Sequence, residues 1–209
     1  MYTGVFYRRY ILGLWAMAEG IIYDMFDTAK HVISNLSELT NANCYVSCDY
    51  GTQNATVFLL WCKDRLGRWV CCREYYYSGR DEERQKTDTE YADDLEQWLD
   101  GIKPVKMVID PSAASFIAEL KKRGYAIKKA KNDVLDGIRF VASLLNQGKI
   151  AISDQCPNTI KEFGSYIWDQ KASERGEDKP VKQHDHAMDA LRYFCYTIIR
   201  KPGSISILK

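Results

Sequence analysis

Residues 43–61, running from Asn43 through Asp49, Gly51 and Asn54 to Trp61, constrain the fold more than any other stretch of the chain. β-Branched, aromatic and sulfur side chains come first, a polar turn carries Gly51 and Asn54, and a second apolar run follows. This order predicts a β-hairpin. Asp49 is out of place in it. An acid near the end of an otherwise buried strand costs several kcal/mol of desolvation when left unpaired, so Asp49 needs a cation or hydrogen-bond donors. Backbone N–H groups of the turn are one source of donors, and a bound cation is another.

The chain that must bury this hairpin has 209 residues, enough for one substantial core. After the hairpin a further strand is expected at 68–77, so strands 43–50, 55–63 and 68–77 form an antiparallel meander. Residues 80–100 read as an amphipathic helix with an acidic solvated face. From there strands and helices alternate: strand 105–110, helix 113–123, strand 125–128, helix 134–147 stopped by Gly148, strand 149–152 and helix 157–170. Residues 171–183 are polar and aperiodic, which predicts a mobile loop or a loose hairpin lying beside the acids, and a last helix runs from His184 or Asp185 to Ile199. A meander followed by alternation is the pattern of an α/β protein with a mixed sheet. Ahead of all this, residues 7–26 have helical periodicity interrupted by Gly13 and Gly20, which predicts a helix, a turn and an extended piece.

The formal net charge is +1, so a polyanionic partner would have to meet a local basic patch. Seven cysteines, an odd number without metal-ligand or framework spacing, and no signal-peptide pattern imply buried free thiols in a reducing compartment. No apolar run approaches the roughly 20 residues needed to span a bilayer, so no membrane partner is expected.

Three acids stand among apolar neighbours: Asp49, Asp110 at the end of the fourth strand, and Asp189 in the last helix. Helical spacing puts Asp185, His186 and Asp189 on one side of that helix and Met188, Leu191, Cys195 and Ile198 on the other. Carboxylates with an imidazole suit Mg²⁺ or Mn²⁺. The simpler alternative makes Asp185 an N-cap and His186 a solvated first-turn residue. Lys121, Lys122, Arg123, Lys128, Lys129 and Lys131 form a run without acids, which fits either phosphate contacts or the C-terminal end of a surface helix.

Taken together, Asp49-Tyr50-Gly51-Thr52-Gln53-Asn54, Val108-Ile109-Asp110-Pro111-Ser112 and Asp185-His186-Ala187-Met188-Asp189-Ala190-Leu191-Arg192-Tyr193 resemble the nuclease domain of bacteriophage large terminase subunits, of the SPP1 type. The leading Tyr7-Arg8-Arg9-Tyr10-Ile11-Leu12-Gly13 and Glu19-Gly20-Ile21-Ile22-Tyr23 are similar to that family's junction between ATPase and nuclease. The resemblance covers about residues 4–200. It implies a ribonuclease-H-like fold with a mixed five-stranded sheet and a division into a leading segment 1–42, a nuclease domain 43–200 and a tail 201–209. It further implies two divalent cations held by Asp49, Asp110 and Asp189, with His186 at the family's His-x-x-Asp position and Asp185 as a neighbour. The implied activity is endonucleolytic cutting of concatemeric viral double-stranded DNA, in the cytoplasm of an infected bacterium. Its implied partners are the packaging ATPase, the small terminase subunit and the portal. No Gly-x-x-x-x-Gly-Lys-Ser/Thr phosphate loop occurs in this chain, so the ATPase part is expected to lie outside it. Competing readings are a resolvase or integrase on the same fold, a non-catalytic DNA-binding module, and a sugar-kinase fragment suggested by Asp49-Tyr50-Gly51-Thr52; a kinase would need a second phosphate-binding turn, which the chain lacks.

Overall fold

The computed structural model of the chain describes residues 19–37, 39–51 and 54–200, together with residues 8, 12 and 13. Residues 7, 9–11 and 14–18 of the leading segment, Thr52 and Gln53 of the first motif and the 201–209 tail fall outside the described residues.

The meander forms as the apolar pattern requires. Strand β1 (Val32–Ile33) follows a short helix α1 (Thr28–His31), and then come β2 (Leu39–Asp49), β3 (Ala55–Asp64) and β4 (Trp69–Ser78). β3 pairs antiparallel with both β2 and β4. Helix α2 (Asp88–Leu99) leads to β5 (Lys106–Ile109), α3 (Ala114–Lys122) to β6 (Ile127–Lys129), and α4 (Val134–Asn146) to β7 (Ile150–Ser153). α5 (Pro157–Ser165), α6 (Gln170–Glu174) and α7 (His186–Phe194) are the last described helices, α7 running on into a π-helical turn, Cys195–Ile199. The sheet order is β1-β7-β4-β3-β2-β5-β6. Every pairing of these strands outside the meander is parallel. β3 therefore runs against the other six, and all six bring their carboxyl ends to one rim.

The sheet has seven strands where the resemblance implies five. The two beyond that number are short edge strands: Val32–Ile33 beyond β7, which the sequence reading lacks, and Ile127–Lys129 beyond β5, where it expects a strand at 125–128. The acidic helix is also shorter than 80–100. A capping box sets its start: Thr87 Oγ1 accepts from Glu90 N at 3.2 Å while Glu90 Oε2 accepts from Thr87 N at 2.8 Å. Helix 157–170 is broken at Ser165, because Ile167 and Trp168 leave it to bridge Ile21 and Pro180. The 171–183 segment is not structureless: α6 occupies its start, and Lys179 O and Val181 N are tied to Asp169 N (2.7 Å) and Ile167 O (2.9 Å).

The cysteines correct a second expectation. Cys44 and Cys62 are joined in a disulfide across β2 and β3, with Cα atoms 4.5 Å apart, while Cys48, Cys71, Cys72, Cys156 and Cys195 are free and buried. Register explains the pairing: Tyr45 faces Trp61, so Cys44 meets Cys62 next along the ladder. A separation of 18 residues in sequence carries no trace of that.

Two helical layers cover the sheet. On one face α2 and α3 pack against Cys48, Phe58, Leu60, Met107 and Ile109; on the other α4, α5 and α7 pack against Val57, Leu59, Trp61, Cys71 and Ile152. β3 thus alternates between two buried faces, which is why it is almost unbroken in hydrophobicity. Trp61 joins sheet to last helix. Its ring stacks on Phe194 with centroids 4.4 Å apart, and its indole N–H donates to Ser47 Oγ at 3.0 Å. Among the described residues no helix is long and apolar enough to cross a membrane.

Replacing Trp61 should show how much the placement of α7 depends on this contact. Trp61→Ala is expected to cost about 3–5 kcal/mol in urea unfolding, and Trp61→Phe, which keeps a ring but leaves the Ser47 hydroxyl without its donor, about 1–2 kcal/mol. Equal losses in the two variants would remove the stacking argument.

Candidate active site

Asp49 is the last residue of β2, and Asp110 follows the last residue of β5. The strands are parallel neighbours in a register that sets Cys48 beside Ile109, so the two acids emerge side by side at the rim of strand carboxyl ends. α7 crosses the sheet on the face of Val57 and Trp61, and its first turn brings His186 and Asp189 to the same place. His186 Nδ1 lies 2.9 Å from Asp49 Oδ2. Tyr193, one turn on, is raised above the ordinary phenol range by burial and by the charges of Asp189, Asp49 and Asp110 together. All three acids therefore stand within electrostatic reach of one hydroxyl.

Each acid has its own partners. Asp110 Oδ1 accepts from Ser112 N at 2.8 Å and Oδ2 from Asn132 Nδ2 at 3.2 Å. Burial alone would raise its carboxyl, but these donors and the Tyr193 hydroxyl hold it below its ordinary value. Asp49 is the reverse case. Burial pushes it up, the neighbouring charges of Asp189 and Asp185 add to that, and the hydrogen bond from His186 only partly compensates. Burial disfavours charge on the His186 imidazole too, yet the bond and charge of Asp49, backed by Asp185 and Glu162, hold it above its ordinary value.

Asp189 is claimed on both sides. Its Oδ1 accepts from Arg192 NH2 at 2.7 Å and its Oδ2 from Lys182 Nζ at 3.0 Å. Arg192 is 2% exposed and reaches past α4 to donate through NH1 to Asn132 O at 2.9 Å. It passes at Gly137, where a Cβ would stand 2.6 Å from Arg192 Cγ, so only glycine leaves room. Since Asn132 also donates to Asp110, one buried guanidinium connects the holders of two of the three acids.

Asp185 precedes α7 but makes no side-chain cap to it. The helix is capped from elsewhere: Glu162 Oε2 accepts from Ala187 N at 2.8 Å and Met188 N at 3.1 Å, and Tyr76 OH donates to Glu162 Oε1 at 2.9 Å. α5, which carries Glu162, is capped in the same way, Glu74 Oε1 accepting from Asn158 N at 2.8 Å and Oε2 from Thr159 N at 2.9 Å. Sequence reading missed Glu162, Arg192 and Asn132. The signal for Glu162 was present: Thr159, Glu162 and Phe163 share the buried face of α5, an acid at core spacing.

The basic run is split by the topology. α3 carries the chain from the rim to the opposite end of the sheet, so Lys121, Lys122 and Arg123 lie away from the acids, while β6 returns to the rim with Lys128 and Lys129, followed by Lys131. Arg123 is occupied by Glu119, Asp93 and Glu96 at 2.9, 2.7 and 3.2 Å.

The donor set, carboxylate oxygens with one imidazole, suits a hard divalent cation, and Asp185 Oδ2 is buried without an aligned hydrogen bond. Among the described residues, however, no three His, Cys, Asp or Glu side chains are grouped closely enough to hold a metal ion. His186, Arg192, Lys182 and Asn132 take up the oxygens instead.

The family model described as the terminase RNaseH-like domain matches residues 67–196. The chain belongs to that family. Its fold is that of terminase large-subunit nuclease domains. It is 32% identical over 206 residues to the terminase large subunit of Escherichia phage T5, covering 93% of this chain and 46% of that one. The large terminase of a thermophilic bacteriophage, solved in complex with ADP, superposes with a TM-score of 0.91 at 55% identity, over 96% of this chain and 50% of that one. The chain thus spans about half the length of these relatives. The nuclease domain of the bacteriophage SPP1 large terminase, solved with bound Mn, matches at a TM-score of 0.55 and 20% identity over 78% of this chain and 94% of that domain, a likeness of fold.

Burial raises the Glu162 carboxyl to about 7 against an ordinary value of 4.5, despite its donors. A raised acid contributes stability that is full below its unfolded value and lost as pH climbs through its folded one. In metal-free buffer, stability is therefore expected to decline by on the order of 3 kcal/mol between pH ~4.5 and ~7 from this group. Glu162→Gln, which keeps an acceptor for the helix but cannot ionise, should flatten that decline in urea unfolding measured across pH; an unchanged slope would assign it to other groups.

Proposed function

We propose that the chain is the nuclease part of a phage DNA-packaging terminase large subunit and hydrolyses phosphodiester bonds of double-stranded DNA with Mg²⁺ or Mn²⁺. The observation that carries this is the arrival of Asp49, Asp110 and Asp189 at one rim of a sheet whose family is terminase. In that reading Asp49, Asp110 and Asp189 hold the cations, with His186 and Asp185 beside them. Two bound cations supply an activated water and charge stabilisation at the leaving 3′ oxygen. The chain's own residues set the stage for that. Arg192 fixes one oxygen of Asp189, leaving Oδ2 to face the site. His186 steadies Asp49 Oδ2 and, held above its ordinary value, can carry a proton there. Ser112 and Asn132 keep Asp110 ionised and oriented.

DNA in this reading is held by phosphate contacts from the rim, where Lys128, Lys129 and Lys131 lie, and not by base reading. Lys121, Lys122 and Arg123 stand at the other end and contribute at most long-range attraction. The ATPase part of the subunit, the small terminase subunit and the portal are the proposed partners, in the cytoplasm of the infected host. Tethering to an ATPase that already holds DNA raises the local concentration of a weakly binding nuclease.

Supercoiled plasmid incubated with the chain in EDTA, Mg²⁺ and Mn²⁺ tests the activity. Cutting is expected with either cation, without ATP and with little sequence preference; persistence in EDTA, or a need for ATP, would refute it. Asp49→Asn and Asp110→Asn should abolish cutting. Asp49→Asn should leave the metal-free protein at least as stable, since a buried, repelled acid is removed, and a lower melting temperature would show that Asp49 is structural. Asp189→Asn differs, because it leaves buried Arg192 without its counter-charge and should destabilise.

Salt dependence tests the split of the basic run. Three phosphate contacts weaken binding roughly fortyfold between 50 and 200 mM salt, whereas six would weaken it on the order of a thousandfold. Lys129→Ala and Lys131→Ala should each reduce the log–log slope by about 0.9, and Lys121→Ala should leave it unchanged. An equal effect at Lys121 would mean that DNA crosses the far end of the sheet.

A further inference from the structure

Two cations, Arg192 and Lys182, pair with Asp189 at the site, and Lys182 is the exposed one. They differ in kind. Arg192 is 2% exposed, enclosed by α4 and bonded to its own carbonyl acceptor. The Lys182 side chain is 60% exposed, and its ammonium sits 3.0 Å from Asp189 Oδ2 and 3.0 Å from Asp185 Oδ2. The contact with Asp185 lacks hydrogen-bond alignment, so that buried oxygen is faced by a charge without being bonded by it. A point charge between two carboxylates, joined to one of them only loosely, is the arrangement of a counter-ion. Burial works against charge on Lys182, but Asp189 and Asp185 more than offset it and hold its ammonium above the ordinary range.

The backbone confines this group while leaving its head free. Val181 N is bonded to Ile167 O at 2.9 Å, and Asp185 O accepts from Asp189 N at 2.8 Å, so only residues 182–184 lie between two anchors. His184 holds a left-handed φ of 50° there, a conformation that costs a non-glycine residue energy. The flexible four-carbon stem of lysine can swing its ammonium away without moving either anchor.

We propose that Lys182 is a built-in substitute for one divalent cation: it neutralises Asp185 and Asp189 in the metal-free protein, and the weaker-binding cation enters by displacing it. The proposal rests on the metal-dependent reading above. It accounts for the lack of a preformed ligand group among the described residues, since Asp189 Oδ2 is already occupied by the chain's own charge. Cation binding and the position of the Lys182 ammonium are then one equilibrium. An occupant that holds the oxygens nine-tenths of the time weakens the cation about tenfold, because only the open fraction is competent.

The test is Mn²⁺ titration by calorimetry on the whole chain, wild type against Lys182→Met, which keeps the stem and removes the charge. Lys179→Met serves as control, since Lys179 Nζ pairs with Glu177 at 2.6 Å on the same segment. Lys182→Met is expected to bind the weaker Mn²⁺ about tenfold more tightly, and to gain more in melting temperature when Mn²⁺ is added to EDTA-treated protein. Lys179→Met should match wild type. Unchanged Mn²⁺ affinities in Lys182→Met, with two bound ions in both proteins, would overturn the proposal and leave the metal-dependent reading standing. Equal tightening in Lys179→Met would overturn it as well, by showing a general charge effect. No Mn²⁺ bound by either protein up to tens of millimolar would overturn both.

Discussion

The buried guanidinium of Arg192 is the interaction on which the site depends. It lies between the start of α4 and the first turns of α7, bonds the Asn132 carbonyl on one and Asp189 on the other, and leaves no room for any residue but glycine at 137. Burying a charge this deeply is tolerable only with close partners, and NH1 and NH2 find them on the segment leading into α4 and on α7 itself. Asn132 then turns its amide to Asp110, and the acid on the strand and the acid on the helix come under common control. Loss of Asp189 would leave Arg192 as an uncompensated buried charge.

The same demand recurs through this half of the molecule. Helices α5 and α7 lack caps of their own, and each takes one from a carboxylate on an element earlier in the chain, Glu74 of β4 for α5 and Glu162 of α5 for α7. A helix start satisfied by a distant acid is fixed in direction as well as in energy, because two N–H groups must aim at the same oxygens. His186 and Asp189 inherit their orientation from that chain of caps, which leads back to β4.

Much of this was legible in the sequence. Period-two and period-three-to-four patterns placed the strands and helices closely enough to put Asp49 and Asp110 at strand ends, and Asp49, Asp110 and Asp189 could be singled out because their neighbours are apolar. What could not be read was anything set by tertiary contact. The Cys44–Cys62 pairing depends on ladder register, the break after Ser165 on partners at Ile21 and Pro180, and the division of the Lys121–Lys131 run on the fact that a crossover helix reverses direction. Arg192 and Lys182 looked like ordinary surface cations in the sequence, since nothing local distinguishes a buried guanidinium from a solvated one. Glu162 was the exception, marked by its place on an apolar helix face.

β3 alone opposes six strands that share one direction, and so the acids, the imidazole and the rim lysines all look out from a single side. A duplex offers two backbones of opposite polarity. On the nuclease reading proposed above, one such rim would address a single backbone in a single sense, so severing a duplex outright would call for two encounters: a second molecule facing the first across the helix, or one molecule that lets go, turns and engages again.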